Sequence, residues 1–242
     1  MNLFVLVLFL AIVGMILQGT FIVVEHKCKY VAAAILKGSA ALVFVIIGFI
    51  GYLNFLKSSG ASNVDATKGL TKTVCLMICL GLLFGMFGDV LLALRFIFKS
   101  MAQKVFLAGT FVFFIGHILY MVALIPMSEN LVISILIGAV VAAVLLIIMY
   151  KTMNLKMAFK IFGIFYIEAV VIMTAIAIGN RIAVNSAFRT WYAVGAVLFT
   201  ISDVVMIFNT FGKTQKFFLR IMNLSLYYVG QLLIAISIFL IT

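Results

Sequence analysis

The chain contains Gly81-Leu-Leu-Phe-Gly-Met-Phe-Gly-Asp89-Val-Leu-Leu and, further along, Gly195-Ala-Val-Leu-Phe-Thr-Ile-Ser-Asp203-Val-Val-Met. In both stretches an aspartate follows a glycine by eight residues, and the residues around it are almost all apolar. A carboxylate in a membrane-spanning helix costs roughly 2.5–3.5 kcal/mol on insertion scales, so it indicates function by default. Two aspartates at matched positions predict a site built around Asp89 and Asp203.

The composition places the chain among polytopic membrane proteins. Hydrophobic residues make up 67% of the 242 positions, with one proline and six acidic groups, and the mean hydropathy is +1.38. Eight apolar stretches are long enough to cross a hydrocarbon layer of about 30 Å as helices, which predicts an all-α membrane protein with eight transmembrane helices in a single polytopic domain. The predicted helices span 3–24, 31–54, 71–94, 104–125, 130–150, 157–178, 187–208 and 217–240. A small, polar connection over 57–69 joins the second and third.

The net charge of +11 reflects membrane topology and attraction to lipid headgroups rather than nucleic-acid binding. With eight helices, alternate connections lie on the same side of the membrane. One side, called the basic face here, carries Lys27, Lys29, Arg95, Lys99, Lys104, Lys151, Lys156, Lys160, Lys213, Lys216 and Arg220. The other carries only Lys57, Lys68, Lys72, Arg181 and Arg189. By the positive-inside rule, the basic face is cytoplasmic and both termini are predicted to be non-cytoplasmic.

A shift of 114 residues superimposes the polar intramembrane positions of the two halves. The coinciding pairs are Gly81 with Gly195, Asp89 with Asp203, Gly116 with Gly230, and His117 with Gln231. The shift pairs helices 3 and 4 with helices 7 and 8 in the same orientation, which predicts a parallel duplication of a four-helix unit, with repeats 1–126 and 127–242. Chance similarity among apolar segments is the alternative, and helices 1–2 and 5–6 show no comparable agreement.

Further polar residues lie within the predicted helices. Lys37, Asp89 and Asp203 are predicted to lie at a similar depth. Each aspartate lies about five residues, or roughly 7–8 Å of helical rise, from the basic end of its helix, and Lys37 lies about six residues into helix 2 from the same side. One cavity therefore suits all three. The remaining candidates for binding a substrate, together with Lys37, are His117, Tyr120, Glu168, Asn223, Tyr227 and Gln231. Along helix 8 the last three of these follow i, i+4, i+8 spacing and share one face.

Structural roles are alternatives for several of these residues. Lys37 also suits a structural ion pair with one aspartate, which is compatible with a site nearby. His117 also suits an interior histidine with a satisfied hydrogen bond, and the tyrosines suit packing positions. For Glu168 both readings stay open, although its predicted depth makes a purely structural role expensive.

The chemistry follows from two buried carboxyl groups. Desolvation favours the neutral acid, so a buried aspartate can keep its proton unless Lys37 pairs with it. One protonated and one ionised carboxyl group form the pair that a general acid and its partner need. The sequence has no Gly-x-Ser-x-Gly elbow and only two histidines, and its three cysteines match no zinc pattern, so neither a serine hydrolase nor a histidine-rich zinc hydrolase is expected.

Four motifs resemble those of the YhhN family, the lysoplasmalogenases. They are Phe87-Gly-Asp89-Val-Leu-Leu, Phe106-Leu-Ala-Gly-Thr-Phe-Val-Phe-Phe-Ile-Gly-His117-Ile-Leu-Tyr120, Gly195-Ala-Val-Leu-Phe-Thr-Ile-Ser-Asp203 and Tyr227-Tyr-Val-Gly-Gln231-Leu-Leu-Ile-Ala-Ile-Ser237. They cover helices 3, 4, 7 and 8. The chain departs from the family in helix 2, where Gly38 follows Lys37 in place of the usual proline.

The resemblance implies an integral membrane enzyme that hydrolyses the vinyl-ether bond of lysoplasmalogens to a fatty aldehyde and a glycerophospho-base. It implies a lysophospholipid substrate taken from the bilayer, Asp89 and Asp203 as the catalytic pair, and no metal or nucleotide cofactor. The rival interpretation is a non-enzymatic proton-coupled or lipid transporter that uses the same charges, since parallel repeats with charged groups at matched depth also suit transport.

Overall fold

A computed structural model describes residues 3–59, 72–153 and 157–241, and over these ranges the chain forms eight α-helices. They are α1 (Leu3–His26), α2 (Tyr30–Ser59), α3 (Lys72–Leu94), α4 (Ala102–Leu124), α5 (Leu131–Thr152), α6 (Met157–Ala183), α7 (Ala187–Phe211) and α8 (Phe217–Phe239). Short 3-10 turns at Lys99–Met101 and Ile125–Met127 flank α4. Most of the predicted polar connection 57–69 lies outside the described residues.

The prediction of eight transmembrane helices is confirmed. All eight are long and apolar enough to span a membrane, so the chain is a multi-pass membrane protein. The outer helices carry apolar side chains on their exposed faces, as Val132, Leu136 and Val140 of α5 illustrate. Lipid tails solvate such a face, whereas water would not. The orientation of the termini remains a prediction.

Packing of the helices follows the same scheme in both halves. Helix α2 packs on α1, α3 and α8, and helix α6 packs on α5, α7 and α4. The remaining large interfaces are α3 with α4 and α7 with α8. Exchanging the first four helices with the last four leaves these neighbours unchanged, which is the arrangement that a parallel duplication predicts.

Close approach of backbones marks the equivalent crossings. A methyl group on Gly116 would lie 3.2 Å from the carbonyl oxygen of Gly81, and one on Gly230 would lie 2.8 Å from that of Gly195. The first distance is tight for a methyl group and the second is too short for one. Small residues are the usual means by which membrane helices approach closely. The two glycine pairs found from the sequence therefore occupy corresponding α3–α4 and α7–α8 crossings.

The turn from α1 to α2 is built around a single left-handed residue. Cys28 has φ 57°, the only non-glycine positive φ among the described residues. The amide of Lys29 donates to the carbonyl of Val24 over 3.2 Å, and that of Cys28 donates to the carbonyl of Glu25 over 2.9 Å. This Schellman pattern satisfies the last carbonyls of α1 and reverses the chain within three residues. As a result, Glu25 and Tyr30 both lie at the basic face.

Candidate active site

Asp89 is buried on α3 and has a cation as its partner. Its Oδ1 lies 2.9 Å from the Nζ of Lys37 on α2, and Tyr227 of α8 donates a hydrogen bond to its Oδ2 over 2.8 Å. Both members of the ion pair are about 95% or more buried. The short contact to a lysine in a water-poor environment defines Asp89 as the anionic partner, because an unpaired lysine would be far more costly there.

Asp203 is buried on α7 and has a neutral partner. Tyr166 of α6 donates a hydrogen bond to its Oδ2 over 2.6 Å. Among the described residues no lysine or arginine forms an ion pair with this carboxyl group. The backbone next to it is fixed by Asn223 of α8, whose Nδ2 donates over 2.9 Å to both the carbonyl and the hydroxyl oxygen of Ser202.

Asp89 and Asp203 line one cavity, called the aspartate cavity here. Its polar lining also includes Lys37, Arg95, Tyr166, Arg220, Asn223 and Tyr227, and its apolar lining includes Phe113 and Met206. Five of the lining residues are sequence predictions: Lys37, Asp89, Asp203, Asn223 and Tyr227. Their presence around one space provides the geometry that a two-carboxyl mechanism needs.

The two carboxyl groups have different partners at corresponding helix contacts. Lys37 reaches Asp89 from α2, and Tyr166 reaches Asp203 from α6, which is the helix that corresponds to α2 in the second half. One aspartate therefore has a charged donor and the other a neutral donor. Because their environments differ, the two groups suit different roles.

His117, Tyr120 and Gln231 form a separate cluster that does not line the aspartate cavity. Tyr120 donates to the Gln231 side-chain oxygen over 2.9 Å, and His117 Nδ1 donates to the carbonyl of Phe113 over 2.7 Å. Nε2 of His117 is buried without a hydrogen-bond partner among the described residues. The His117 ring packs edge-on against the Tyr166 ring, with 5.3 Å between the ring centroids. The cluster therefore contacts the tyrosine that donates a hydrogen bond to Asp203.

The structure corrects the interpretation of Glu168. This residue is exposed on the outer side of α6 and does not line the aspartate cavity. The physical reason is helical periodicity, since Tyr166 faces Asp203 and a residue two positions later points to a different side of the helix. Glu168 therefore lies on a face of α6 that does not border the aspartate cavity.

Tyr166, Arg95 and Arg220 are site residues that the sequence analysis did not single out for the cavity. Tyr166 is an isolated polar residue two positions from Glu168, and the small-residue and charge patterns used for the other helices gave no signal for it. Arg95 and Arg220 were counted only as topology charges. Their separation in sequence hid the fact that both guanidinium groups lie over the same Phe96 ring, at 4.7 Å and 5.9 Å.

The two arginines differ in their partners. Arg220 forms a bidentate ion pair with Glu25, with contacts of 2.7 Å and 3.1 Å. Among the described residues the guanidinium of Arg95 has no ion-pair or hydrogen-bond partner, and it lies over the rings of Phe96 and Phe106. Burial and the neighbouring Arg220 lower the pKa of Arg95 to about 10, while Glu25 opposes this shift. At neutral pH the Arg95 guanidinium is therefore charged.

Two further cavities adjoin the aspartate cavity. One, called the vestibule here, opens at the basic face and shares Arg95 and Arg220 with it. The vestibule is lined by Glu25, His26, Tyr30, Phe96, Lys216 and Phe217 in addition to these arginines. The other, called the apolar groove here, shares Thr110, Tyr166 and Met206 with it. The groove is lined mainly by Phe106, Leu107, Phe159, Gly163, Ile207 and Phe211.

The three spaces together form a path that is polar at one end, apolar at the other and acidic between them. A single-chain amphiphile has the matching order of headgroup, linkage and chain. Within the described ranges no three His, Cys, Asp or Glu side chains are grouped so that they would hold a metal ion.

A comparison with models of known protein families returned a match over most of the chain. The family model described as the YhhN family matches residues 37–238, which include every helix that contributes an aspartate or a partner of an aspartate. The chain therefore belongs to the YhhN family. Neither the search of curated proteins nor the search of solved structures returned a match.

Proposed function

We propose that this protein is a lysoplasmalogenase-like hydrolase that cleaves the vinyl-ether bond of lysoplasmalogens by acid catalysis. The observation that carries the proposal is that Asp89 and Asp203 line one cavity while having different partners, a lysine and a tyrosine. Membership of the YhhN family is consistent with this reaction. Vinyl-ether cleavage requires a proton donor and an anion in one site, and these two groups match that requirement.

Asp203 is the proposed general acid. Its hydrogen-bond partner is the neutral Tyr166, so no fixed cation holds this carboxyl group in its ionised form. In the first step the carboxyl proton is transferred to the alkenyl carbon remote from the ether oxygen. The carbon attached to that oxygen then becomes an oxocarbenium ion, and Asp203 is left as a carboxylate.

Asp89 is the proposed stabilising anion. Its ion pair with Lys37 keeps it ionised, and its second oxygen accepts a hydrogen bond from Tyr227. A fixed carboxylate beside the reacting carbon lowers the energy of the oxocarbenium ion, most effectively where water is scarce. Water then adds to the cation and gives a proton back to Asp203, forming a hemiacetal. This collapses to a fatty aldehyde and the free hydroxyl of the glycerophospho-base, so the net consumption is one water.

The adjoining spaces suit the rest of such a substrate. The apolar groove offers aromatic and aliphatic side chains, including Phe106, Phe159 and Phe211, to a long alkenyl chain. The groove and the aspartate cavity share Thr110 and Met206, so a bound chain would bring its polar end to the carboxyl groups.

The decisive experiment compares three lysolipids that share chain and headgroup. Purified protein in detergent is incubated with a lysoplasmalogen, its saturated alkyl-ether analogue and its ester analogue, and aldehyde and fatty acid are quantified. We expect aldehyde from the vinyl ether alone, because only an alkene can accept a proton at carbon. Comparable acid release from the ester, or no aldehyde from a folded sample, would contradict the proposal. A transporter would also yield no product in detergent.

A further inference from the structure

We infer that Arg95 is the phosphate-recognition residue of this site, and that it makes binding depend on a phosphodiester in the lipid headgroup. This inference rests on the proposed function for the position of the lipid chain. It also revises the role of Lys37, which the sequence analysis offered as a substrate-binding candidate.

Lys37 is already neutralised. Its Nζ is 2.9 Å from Asp89, it is 5% exposed, and the ring of Phe21 lies 5.7 Å away. Moving this ammonium group to a phosphate would leave the Asp89 carboxylate unpaired in a buried position, which is strongly unfavourable. Lys37 is therefore part of the acidic centre rather than a headgroup contact.

Arg220 is also neutralised, through two contacts to Glu25. Both oxygens of this carboxylate are used, and the guanidinium presents its Nε and Nη2 to them. The pair forms one wall of the vestibule and contributes almost no net charge. Among the described residues, two cations of the vestibule wall have no ion pair with a carboxylate: Lys216, which is exposed, and Arg95, which also lines the aspartate cavity.

Of these two cations, Arg95 is the one that reaches the aspartate cavity. Its guanidinium lies over Phe96 at 4.7 Å and over Phe106 at 5.0 Å, so aromatic faces hold the group without using its N–H donors. A guanidinium has five N–H donors in a planar fork that matches phosphate oxygens in bidentate geometry. A half-buried, charged and unpaired arginine that lines a cavity is a site for an anion.

The position of Arg95 fits the lipid. It follows the C-terminus of α3 and lines both the vestibule and the aspartate cavity. It comes six residues after Asp89, which corresponds to about 9 Å along the helix axis. In a glycerophospholipid a three-carbon glycerol unit separates the sn-1 linkage from the phosphate. A lipid whose linkage reaches the aspartates therefore has its phosphate near Arg95, and the rest of the headgroup extends into the vestibule.

The test measures binding rather than turnover, so that it does not depend on cleavage. The probes are an alkyl-ether glycerophosphocholine, which has no vinyl bond, and an alkylglycerol with the same chain and no phosphate. Affinities of the purified protein for both are measured by calorimetry in detergent. We expect the wild type to prefer the phospholipid by about tenfold or more, as a charge-assisted bidentate contact predicts.

Three variants test whether Arg95 causes the preference for the phospholipid. Arg95→Gln should reduce it to within about threefold of unity while leaving the alkylglycerol affinity unchanged, and Arg95→Lys should retain an intermediate preference because it keeps the charge without the fork. Lys99→Gln is the matched control, since it removes an exposed positive charge from the same face. A preference that is absent in the wild type, unchanged in Arg95→Gln, or equally reduced in Lys99→Gln overturns the inference. If Arg95→Gln does not fold, a wild-type preference in Arg95→Lys overturns it.

Competition distinguishes the lipid headgroup from free phosphate. Glycerophosphocholine at millimolar concentration should displace the alkyl-ether phospholipid from the wild type, and inorganic phosphate should do so more weakly. Equal or stronger displacement by inorganic phosphate would identify a free-anion site and overturn the assignment to a lipid headgroup. A protein that shows the Arg95-dependent preference but no aldehyde release would retain this inference and lose the proposed reaction.

Discussion

Tyr166 donates a 2.6 Å hydrogen bond to Asp203 between α6 and α7, and the ion pair of Lys37 and Asp89 joins α2 to α3 around the same cavity. In each half, a donor on the second helix of the unit meets the aspartate on the third. One donor is charged and the other is neutral. The difference between these donors is the basis of the separate chemical roles proposed for Asp89 and Asp203.

Substitution of each aspartate by asparagine is expected to have different consequences in the two halves. Asp203→Asn keeps an oxygen that can accept from Tyr166, so the variant should fold with a Tm near that of the wild type and lose turnover by about 10²–10⁴-fold. Asp89→Asn leaves Lys37 buried without its counterion, which should destabilise the fold by about 3–5 kcal/mol and lower the yield. Tm in detergent and aldehyde release per folded molecule measure both effects.

A folded Asp203→Asn variant with normal turnover would exclude this residue as the acid. An Asp89→Asn variant as stable as the wild type would show that the ion pair is not needed for folding. Instability together with normal activity per folded molecule would assign a purely structural role to Asp89.

Removing both members of the ion pair separates its structural role from its chemical role. The double substitution Lys37→Met with Asp89→Asn leaves no buried charge, so it should recover most of the Tm that either single change loses. We expect the coupling between the two positions to exceed about 1 kcal/mol, while aldehyde release stays low because the stabilising anion is gone. Additive losses of Tm would contradict the pairing, and recovery of turnover would contradict the catalytic role of Asp89.

Much of the fold follows from the sequence because membrane helices are specified locally. An apolar run of sufficient length predicts a span without knowledge of its neighbours. The glycine and aspartate pairs at an offset of 114 residues also predicted which helices would cross in equivalent ways. The equivalence of α2 with α6 was not visible, because Lys37 and Tyr166 have different chemistry and no shared pattern surrounds them.

The sequence predicts the site residues that are costly to bury in a membrane, and it does not single out those that are common there. Asp89, Asp203 and Lys37 are conspicuous because charges inside a bilayer are rare. Tyr166 is not, since a tyrosine in a membrane helix is common. Glu168 was predicted as a site residue because it is charged within an apolar helix. Which face of α6 is interior depends on the packing of this helix on α4 and α7, and the sequence alone does not show that packing.

The glycine crossings give a test of the fold that is independent of activity. Gly230→Ala would bring a methyl group to 2.8 Å from the carbonyl oxygen of Gly195, a backbone atom that cannot rotate away. Helices α7 and α8 must then separate, at an expected cost of about 1–3 kcal/mol. Gly19→Ala is the control, because an added methyl group on Gly19 has no heavy atom within 4 Å.

We expect a lower Tm for Gly230→Ala and an unchanged or slightly higher Tm for Gly19→Ala, since alanine is the better helix former. Equal Tm values for the two variants would show that the α7–α8 crossing tolerates separation, and would weaken the case for equivalent crossings in the two repeats.

The apolar groove can be tested by filling it. Gly163 of α6 lines the groove, and an added methyl group there would have no heavy atom within 4 Å. Gly163→Leu is therefore compatible with the fold, yet its side chain would occupy space that an alkenyl chain needs between Phe106 and Met206. Because close-packed interiors do not yield to an overlapping side chain, we expect kcat/KM for a long-chain lysoplasmalogen to fall by about tenfold.

Chain length decides whether that loss arises in the groove. A short-chain lysoplasmalogen, with about eight carbons, ends before the filled region and should be cleaved by Gly163→Leu at nearly the wild-type rate. Gly19→Leu is the control, since it adds the same side chain to an exposed position of α1 where nothing lies within 4 Å of the new atom. Equal losses for long and short substrates in Gly163→Leu would indicate a disturbed acidic centre instead, because Tyr166, three residues later on the same helix, holds Asp203. Unchanged kcat/KM for the long-chain substrate would show that the chain leaves the aspartate cavity by another route, since a filled groove has no room for both side chain and lipid.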